Sequence, residues 1–517
     1  MKKINIVTLI FSFTFLATVT CFSQTYASLY EESTFEAYKK DSLNYDFFKS
    51  LFAIDTTMTE EVALKHEEKV LSLIKSFPLK EDKAKKEKRR VKFIYDELHK
   101  KFFKKYTLES DFSKIFEDGT YNCITASALY AFAFDELDIP YHVKETPSHV
   151  FLVAYPNTHK IYLETTVPGA YGFTTPKESE VKKIIDELIA YKLVTKEEVL
   201  EKGYIKFYED YYYGKDYINK SALIGMQYYN KGLTNLDATD YDEAINNFRK
   251  AKIFYSSPLI KPILKGIMFL KVNELEFDSF EDVEFLFELL SISNYPEDYS
   301  ISNLKTSLFK ITDHDDNDHA FIEKVIDKFK LFKNEKIKNV AVEFLLEYLA
   351  RRAASDEELE SALAYSNEIL HINPKSKIAK QIIEHVCFRK VTLSTHDLES
   401  LKDFEETCEK YPFLKDTKRY YISLVSFYGT ISFMNYKNKE ISLASEYLKK
   451  FESVMDKQNL INDINKPLVA ELYLKAGNYY YYKEEHKVAY NLFKKGLSYV
   501  PGYPELEKKA QWAKEEL

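Results

Sequence analysis

The chain has 517 residues, of which 45% are hydrophobic and 30% are charged, and its formal net charge is −8. This length exceeds one ordinary core and predicts two or three domains of a globular protein. The acidic balance argues against a nucleic-acid-binding protein, which needs a basic surface. Only 12 glycines stand beside 41 tyrosines and 38 phenylalanines. This composition favours packed helices over turn-rich β architecture.

The first residues show the pattern of a secretory signal peptide. Lys2 and Lys3 precede the apolar run 4–19, which is short for a membrane span, and small or polar residues follow. We expect cleavage between Ser23 and Gln24, so that residues 1–23 are removed. The mature protein is then exported, to the periplasm, the cell surface or the medium, and has no membrane span.

Export changes the interpretation of the four cysteines, Cys21, Cys123, Cys387 and Cys408. Cleavage after residue 23 leaves three, so at least one thiol stays free. Cys387 and Cys408 lie in helix-like sequence without a motif and are interpreted as buried packing residues. Cys123 is then the free thiol. A lipoprotein modified at Cys21 is an alternative that its flanking residues disfavour.

Residues 24–89 are predicted to form an N-terminal helical segment, and a compact motif follows. The turn "GTYN" leads into "CITASALYAFAFDEL", a helix apolar on nearly every face, with Asn122 as its N-cap. The segment "YHVKET" reads as a strand, and "HVFLVAY" with "KIYLETT" as a hairpin. Cys123 at the helix start thus precedes a hairpin that carries His149 and Glu164.

These three residues supply what a thiol nucleophile needs. A free thiol has a pKa of about 8.5, so little thiolate exists at neutral pH. A helix N-terminus and a neighbouring imidazole both favour the thiolate, and the imidazole passes the proton to the leaving group. An acidic residue holds the imidazole in the required tautomer. Cys123, His149 and Glu164 are the candidates for nucleophile, base and orienting residue.

The stretch from "YNCITASALY" to "KIYLETT" resembles the core of the transglutaminase-like superfamily, and residues 90–175 are assigned to it. The resemblance implies a papain-like α+β domain without a cofactor, with protease, amidase or acyl-transferase activity. It also implies the catalytic order Cys123, His149, Glu164. Glu164 stands where the family usually has Asp, and Phe151 where Trp is common. "PSHVFL" is also similar to the SirB-type group of the family, which is fused to tetratricopeptide repeats.

A helical connector is predicted for residues 176–215 and helical repeats for 216–517. Tyr228, Gly232, Ala244 and Phe248 recur at the same spacing as a second set near the C-terminus, Tyr473, Gly477, Ala489 and Phe493. This spacing resembles the tetratricopeptide repeat, in which small residues let two antiparallel helices pack closely. Fainter copies lie between the two. The predicted fold is therefore an α+β domain followed by an all-α solenoid, mostly helical overall.

Other residues are weaker candidates for chemistry. His142 is expected to point away from this site. His159, in the hairpin turn, is expected to point into solvent. The Cys123 N–H and an upstream donor, Asn122 or Tyr121, would stabilise an oxyanion. The acidic run "DHDDNDH" lacks the Gly and Glu of a calcium loop and is interpreted as a helix cap, so no metal is assigned.

Two functions of different class follow from the sequence. The first is an exported cysteine enzyme that acts on an amide bond, by hydrolysis or acyl transfer, with repeats that bind a protein or peptide. The second is a non-catalytic binding protein, in which the repeats act and the transglutaminase-like domain is a relic.

Overall fold

The computed structural model describes residues 25–77, 87–146, 149–163, 178–190, 194–213, 217–313 and 318–517. The chain is mostly helical, as predicted, and forms two compact units. The first comprises Met1–Leu275 and Glu284–Ser293, and the second Glu276–Val283 and Asn294–Leu517. In the described ranges, no helix has both the length and the apolar character that a bilayer crossing requires. The predicted signal peptide, residues 1–23, lies outside these ranges.

The first unit opens with four helices, of which the first three begin at side-chain caps, Ser28, Asp46 and Thr59. They are α1 (Leu29–Lys40), α2 (Phe47–Ser50), α3 (Glu60–Lys75) and α4 (Glu87–Phe102). Apolar residues at helical spacing in α4, Val91, Ile94, Leu98 and Phe102, are buried. Lys88, Arg89 and Lys92 of the same helix are exposed, as expected of an amphipathic helix.

Two small sheets follow, with a buried helix between them. Strands β1 (Lys105–Tyr106) and β2 (Thr120–Tyr121) pair in parallel, and the short helix α5 (Lys114–Glu117) lies between them in the chain. Helix α6 (Cys123–Glu136) is buried from Ile124 to Phe134. Strands β3 (Tyr141–Thr146), β4 (His149–Ala154) and β5 (Ile161–Leu163) form an antiparallel sheet in that order. The helix, the strand and the hairpin predicted here are confirmed over the described residues.

Both faces of the three-stranded sheet are covered. Phe151 and Val153 of β4 pack in one apolar cluster with α7 (Glu178–Ala190), α8 (Lys196–Lys202) and α9 (Tyr204–Tyr213). Val150 and Leu152 alternate with them and are equally buried. Since successive side chains of a strand point to opposite faces, and α6 packs along β4, α6 covers this second face.

The first unit continues with a helical hairpin that packs against α6. The remaining helices up to the division between the units are α10 (Ala222–Asp237), α11 (Tyr241–Phe254), α12 (Ile260–Glu274) and α13 (Phe280–Ile292). Gln227 of α10 donates to the Leu51 carbonyl (3.1 Å) and accepts from the Phe112 N–H (2.9 Å). The first predicted repeat hairpin is thus built into the core of the first unit.

Helix α1 is joined to the same hairpin by a buried ion pair. The Lys250 ammonium lies 2.8 Å from the Glu31 carboxylate, and the Tyr228 hydroxyl donates to that carboxylate at 2.8 Å. The Ala27 N–H donates to its other oxygen at 2.6 Å. Phe35 adds an edge-to-face contact with Tyr228. The segment after the predicted signal peptide is therefore fixed to α10 and α11.

The second unit is a succession of helices. Its first members are α14 (Ile301–Asp313), α15 (His319–Lys330), α16 (Glu335–Ser355), α17 (Leu359–Ile372), α18 (Lys377–Leu393) and α19 (Leu398–Lys410). A 3-10 turn follows, and then α20 (Lys418–Asn438), α21 (Ile441–Gln458), α22 (Lys466–Tyr481), α23 (His486–Tyr499) and α24 (Pro504–Glu515). Consecutive members pack as antiparallel hairpins, among them α16 with α17, α20 with α21, and α22 with α23.

Four hairpins share one spacing of small residues. In each hairpin the two small residues are twelve positions apart. The pairs are Gly232 and Ala244, Ala350 and Ala362, Ser432 and Ala444, and Gly477 and Ala489. The first, second and fourth pairs belong to repeats predicted from sequence, whereas the third was not recognised. A side chain at Gly477 has no room, because its Cβ would lie 2.3 Å from the Phe493 ring. The close approach expected at this glycine is confirmed.

Candidate functional site

Cys123 is the first residue of α6 and is partly exposed. The predicted cap is confirmed, since the Asn122 carbonyl oxygen Oδ1 accepts from the N–H groups of Ile124 (3.0 Å) and Thr125 (2.9 Å). The Thr125 hydroxyl accepts in return from the Asn122 N–H. The thiol thus lies in the first helical turn, at the positive end of the helix dipole.

The same asparagine also holds a neighbouring loop. Its Nδ2 donates to the carbonyls of Leu108 (3.1 Å) and Ser110 (2.8 Å). The Asn122 side chain, one of two upstream donors considered for an oxyanion, is therefore already engaged. The Cys123 N–H belongs to the first-turn donors that lack an intrahelical acceptor, and it is the better candidate.

Two contacts fix how α6 runs along the sheet. The Ser127 hydroxyl donates to the Val150 carbonyl at 3.3 Å, and the ring of Tyr141, at the start of β3, lies 5.9 Å from the ring of Phe134 near the helix end. Because a helix rises 1.5 Å per residue, Cys123 lies about 6 Å beyond Ser127, toward the start of β4. His149 is the residue at that start. The structure brings Cys123 and His149 to the same end of the helix–strand pair.

The His149 ring lies on the face of the sheet opposite to α6. The His149 ring stacks 6.0 Å from the ring of Phe151, its neighbour two residues along the strand. Phe151 belongs to the apolar cluster with α7 to α9, so the His149 side chain lies on the face of the sheet that these helices cover. Helix α6 covers the opposite face. Glu164, the predicted orienting residue, lies outside the described residues.

Further basic side chains share the face of His149. The His142 ring stacks on Tyr217 at 4.1 Å. Lys144 is buried, and its ammonium lies 5.4 Å from the centre of the Tyr211 ring. His159 differs from its prediction, because its ring contacts the Glu87 carboxylate and is only partly exposed. The negative charge of that carboxylate, on a helix distant in sequence, explains the difference.

Glu145 is an acidic residue that sequence reasoning missed. It lies on β3 opposite Val150, on the face that α6 covers, and the Tyr255 hydroxyl donates to its carboxylate. Burial raises the pKa of Glu145, while the bond from Tyr255 opposes the shift. The alternation of Tyr141, Val143 and Glu145 in "YHVKET" is the signal that assigns Glu145 to an inward face.

The remaining cysteines behave as predicted. Cys387 and Cys408 are free thiols in one buried apolar cluster of the second unit. Burial raises the pKa of Cys387 to about 11 and that of Cys408 to about 12. Since the thiolate is the reactive form, both are expected to be inert in the folded protein. Alkylation of the native protein therefore reports on Cys123.

Among the described residues, His, Cys, Asp and Glu side chains form no group of three or more that could hold a metal ion. In the acidic run 313–319, the Asp318 carboxylate caps α15, as expected, while residues 314–317 lie outside the described ranges. No family model matches the chain, and no curated protein sequence matches it significantly.

Proposed function

We propose that this protein is an exported, transglutaminase-like cysteine enzyme that acts on an amide bond of a peptide or protein. The observation that carries the proposal is the common position of Cys123 and His149 at one end of the α6–β4 pair. Cys123 also lies at the capped N-terminus of α6, the positive end of the helix dipole. The helical repeats are proposed to bind a protein or peptide partner.

The proposed reaction uses these residues in turn. In this scheme the His149 ring turns at the start of β4 from Phe151 toward Cys123 and takes the thiol proton. The sulfur then attacks the carbonyl carbon of the amide. The Cys123 N–H donates to the oxygen that becomes negatively charged. His149 then protonates the departing amine, which leaves a thioester that water or a second amine resolves. Glu164 orients His149 in this scheme, a role that rests on the resemblance.

Alkylation by iodoacetamide as a function of pH tests the proposal. Below pH 8, wild-type Cys123 should react faster than an ordinary thiol, because His149 accepts its proton in the proposed scheme. His149→Ala should move the reaction toward the pH expected of an ordinary thiol. Intact-mass analysis measures the rate, and Cys123→Ser identifies the labelled residue.

A matched control separates the base from a general effect on the sheet. His142 lies on β3 of the same sheet and stacks on Tyr217, so His142→Ala removes a second imidazole from the same face. It should leave the alkylation profile unchanged. A wild-type profile that already follows an ordinary thiol, and that His149→Ala does not alter, would remove the basis for an enzyme.

The non-catalytic binding protein remains the second candidate. The observation that favours it is the position of the His149 ring beside Phe151, on the face opposite to α6. In that case the sheet serves only as a scaffold and the repeats act alone. An ordinary alkylation profile, together with a bound partner that is recovered equally with Cys123→Ser, is the result that this function predicts.

A further inference from the structure

The loop that Asn122 holds lies directly beside Cys123. Tyr106 of β1 pairs with Tyr121 of β2, and the Thr107 N–H donates to the Tyr121 carbonyl at 2.9 Å. The two chain segments run in parallel, and the next contact joins the Leu108 carbonyl to Asn122. Leu108 is therefore level with the start of α6, on the neighbouring segment.

This loop carries two exposed apolar side chains. Leu108 is 77% exposed and Tyr106 is 39% exposed. The backbone that bears them is fixed, because the Ser110 hydroxyl donates to the Thr120 carbonyl (3.2 Å) and the Phe112 N–H to Gln227 (2.9 Å). A fixed loop that presents apolar side chains next to a nucleophile is a typical position for substrate recognition.

We infer that Leu108 and Tyr106 form a specificity rim, which contacts a large apolar side chain adjacent to the carbonyl that Cys123 attacks. The inference rests on the proposed function and names its substrate class, an amide with an apolar residue on the amine side of the carbonyl. Contact with this side chain removes both rim residues from water, which favours such a substrate over a charged one.

Thiol-directed probes test the rim without a known substrate. Chloroacetamide alone and chloroacetyl derivatives of leucine amide, aspartate amide and lysine amide each alkylate a thiol, with a sulfur–carbon bond formed and chloride released. Each rate constant at Cys123 is divided by that of chloroacetamide. The leucine ratio should exceed the other two by about tenfold, the effect expected of a partly buried leucine side chain.

Two variants make the test specific. Leu108→Asp should bring the leucine ratio, taken against the variant's own chloroacetamide rate, down to that of the aspartate probe. Leu43→Asp is the matched control, since Leu43 is 87% exposed in the same unit and has no place in the site. It should leave all ratios as in the wild type.

The outcomes separate the rim from the enzyme. A Cys123 that reacts with chloroacetamide but shows equal ratios, or prefers the aspartate or lysine probe, overturns the rim and leaves the cysteine enzyme standing. A leucine preference that survives Leu108→Asp also overturns it. A Cys123 as slow as an ordinary thiol toward chloroacetamide overturns the proposed function and the rim together.

Discussion

Lys250 and Glu31 carry opposite charges away from water, with side chains 4% and 3% exposed. Lys250→Met leaves the Glu31 carboxylate buried without its cation, and such a loss costs about 3–5 kcal/mol. We expect the free energy of unfolding to fall by that amount, as measured by urea titration followed by circular dichroism.

The double variant is the control for this ion pair. Glu31→Gln with Lys250→Met removes both charges, and the glutamine amide can still accept from Tyr228. The double variant should therefore be more stable than Lys250→Met alone. Equal or lower stability of the double variant would show that the charge pairing is not what Lys250 contributes.

Glu145 should make stability depend on pH. Its pKa is raised in the folded state above the ordinary value of 4.5, so the folded protein binds the proton more tightly than the unfolded chain. This contribution to stability is complete below pH 4.5 and is lost as pH rises through the raised pKa. The Glu145→Gln variant has no carboxyl group to ionise and does not lose this stability. The stability of the variant relative to wild type should therefore increase with pH above 4.5 and then level off.

Urea titrations from about pH 4 to pH 8 measure this difference. Tyr255→Phe is the companion variant, because it deletes the hydroxyl that opposes the shift and should extend the loss to higher pH. Parallel curves of stability against pH for wild type and Glu145→Gln would contradict the assignment.

Residue-level predictions from sequence succeeded where the interaction is local. Asn122 caps the helix that begins one residue later. The pair Thr195 and Glu198, three residues apart, likewise predicts the capping box that begins α8. The Tyr255–Glu145 hydrogen bond joins residues 110 positions apart, and no local sequence pattern predicts it. For Cys123 and His149 the elements were predictable, whereas the face on which the ring lies depends on how α7 to α9 cover the sheet.

At the scale of elements, the helix pairs owe their close packing to small residues at fixed spacing. Gly477→Ala places a methyl group 2.3 Å from the Phe493 ring, so the ring or the helix has to move. Overpacking of this kind costs about 1–3 kcal/mol. The urea midpoint should fall, as followed by fluorescence of Trp512, the only tryptophan in the sequence, which lies on α24 beside α23.

Gly429→Ala is the matched substitution in the same unit. Its new methyl group meets the Phe451 ring at 3.4 Å, an ordinary contact, and alanine favours a helix over glycine by about 1 kcal/mol. This variant should be as stable as wild type or more so. A Gly477→Ala midpoint equal to that of Gly429→Ala would mean that α22 and α23 pack less closely than described.

The repeat spacing was visible in sequence only where glycine or alanine occupies both close positions. In α20 and α21, Ser432 stands at the place of the glycine, and its hydroxyl donates to the Ala444 carbonyl at 2.8 Å. The hydroxyl is accommodated by this bond, so the two helices pack as a hairpin without the expected residue. A pattern search for glycine therefore misses this pair.

At the scale of the molecule, the first predicted repeat hairpin does not act as a separate module. Residues 216–517 are predicted as one repeat region, and the first unit of the structure includes α10 and α11 from the start of that region. Sequence periodicity identifies α10 and α11 as a hairpin, but their partners Glu31, Leu51 and Phe112 lie 100 or more residues earlier. Contacts between residues so far apart in the chain cannot be predicted from the spacing of residues within a repeat.

The commitment of α10 and α11 to the first unit has a consequence for how such a chain can change during evolution. Tyr228, Gln227 and Lys250 of this hairpin hold side chains and backbone of the N-terminal helices. Loss of this hairpin would leave a carboxylate and two backbone groups without partners in the interior. None of these bonds involves a residue of the second unit, so variation in repeat number is expected downstream of residue 293.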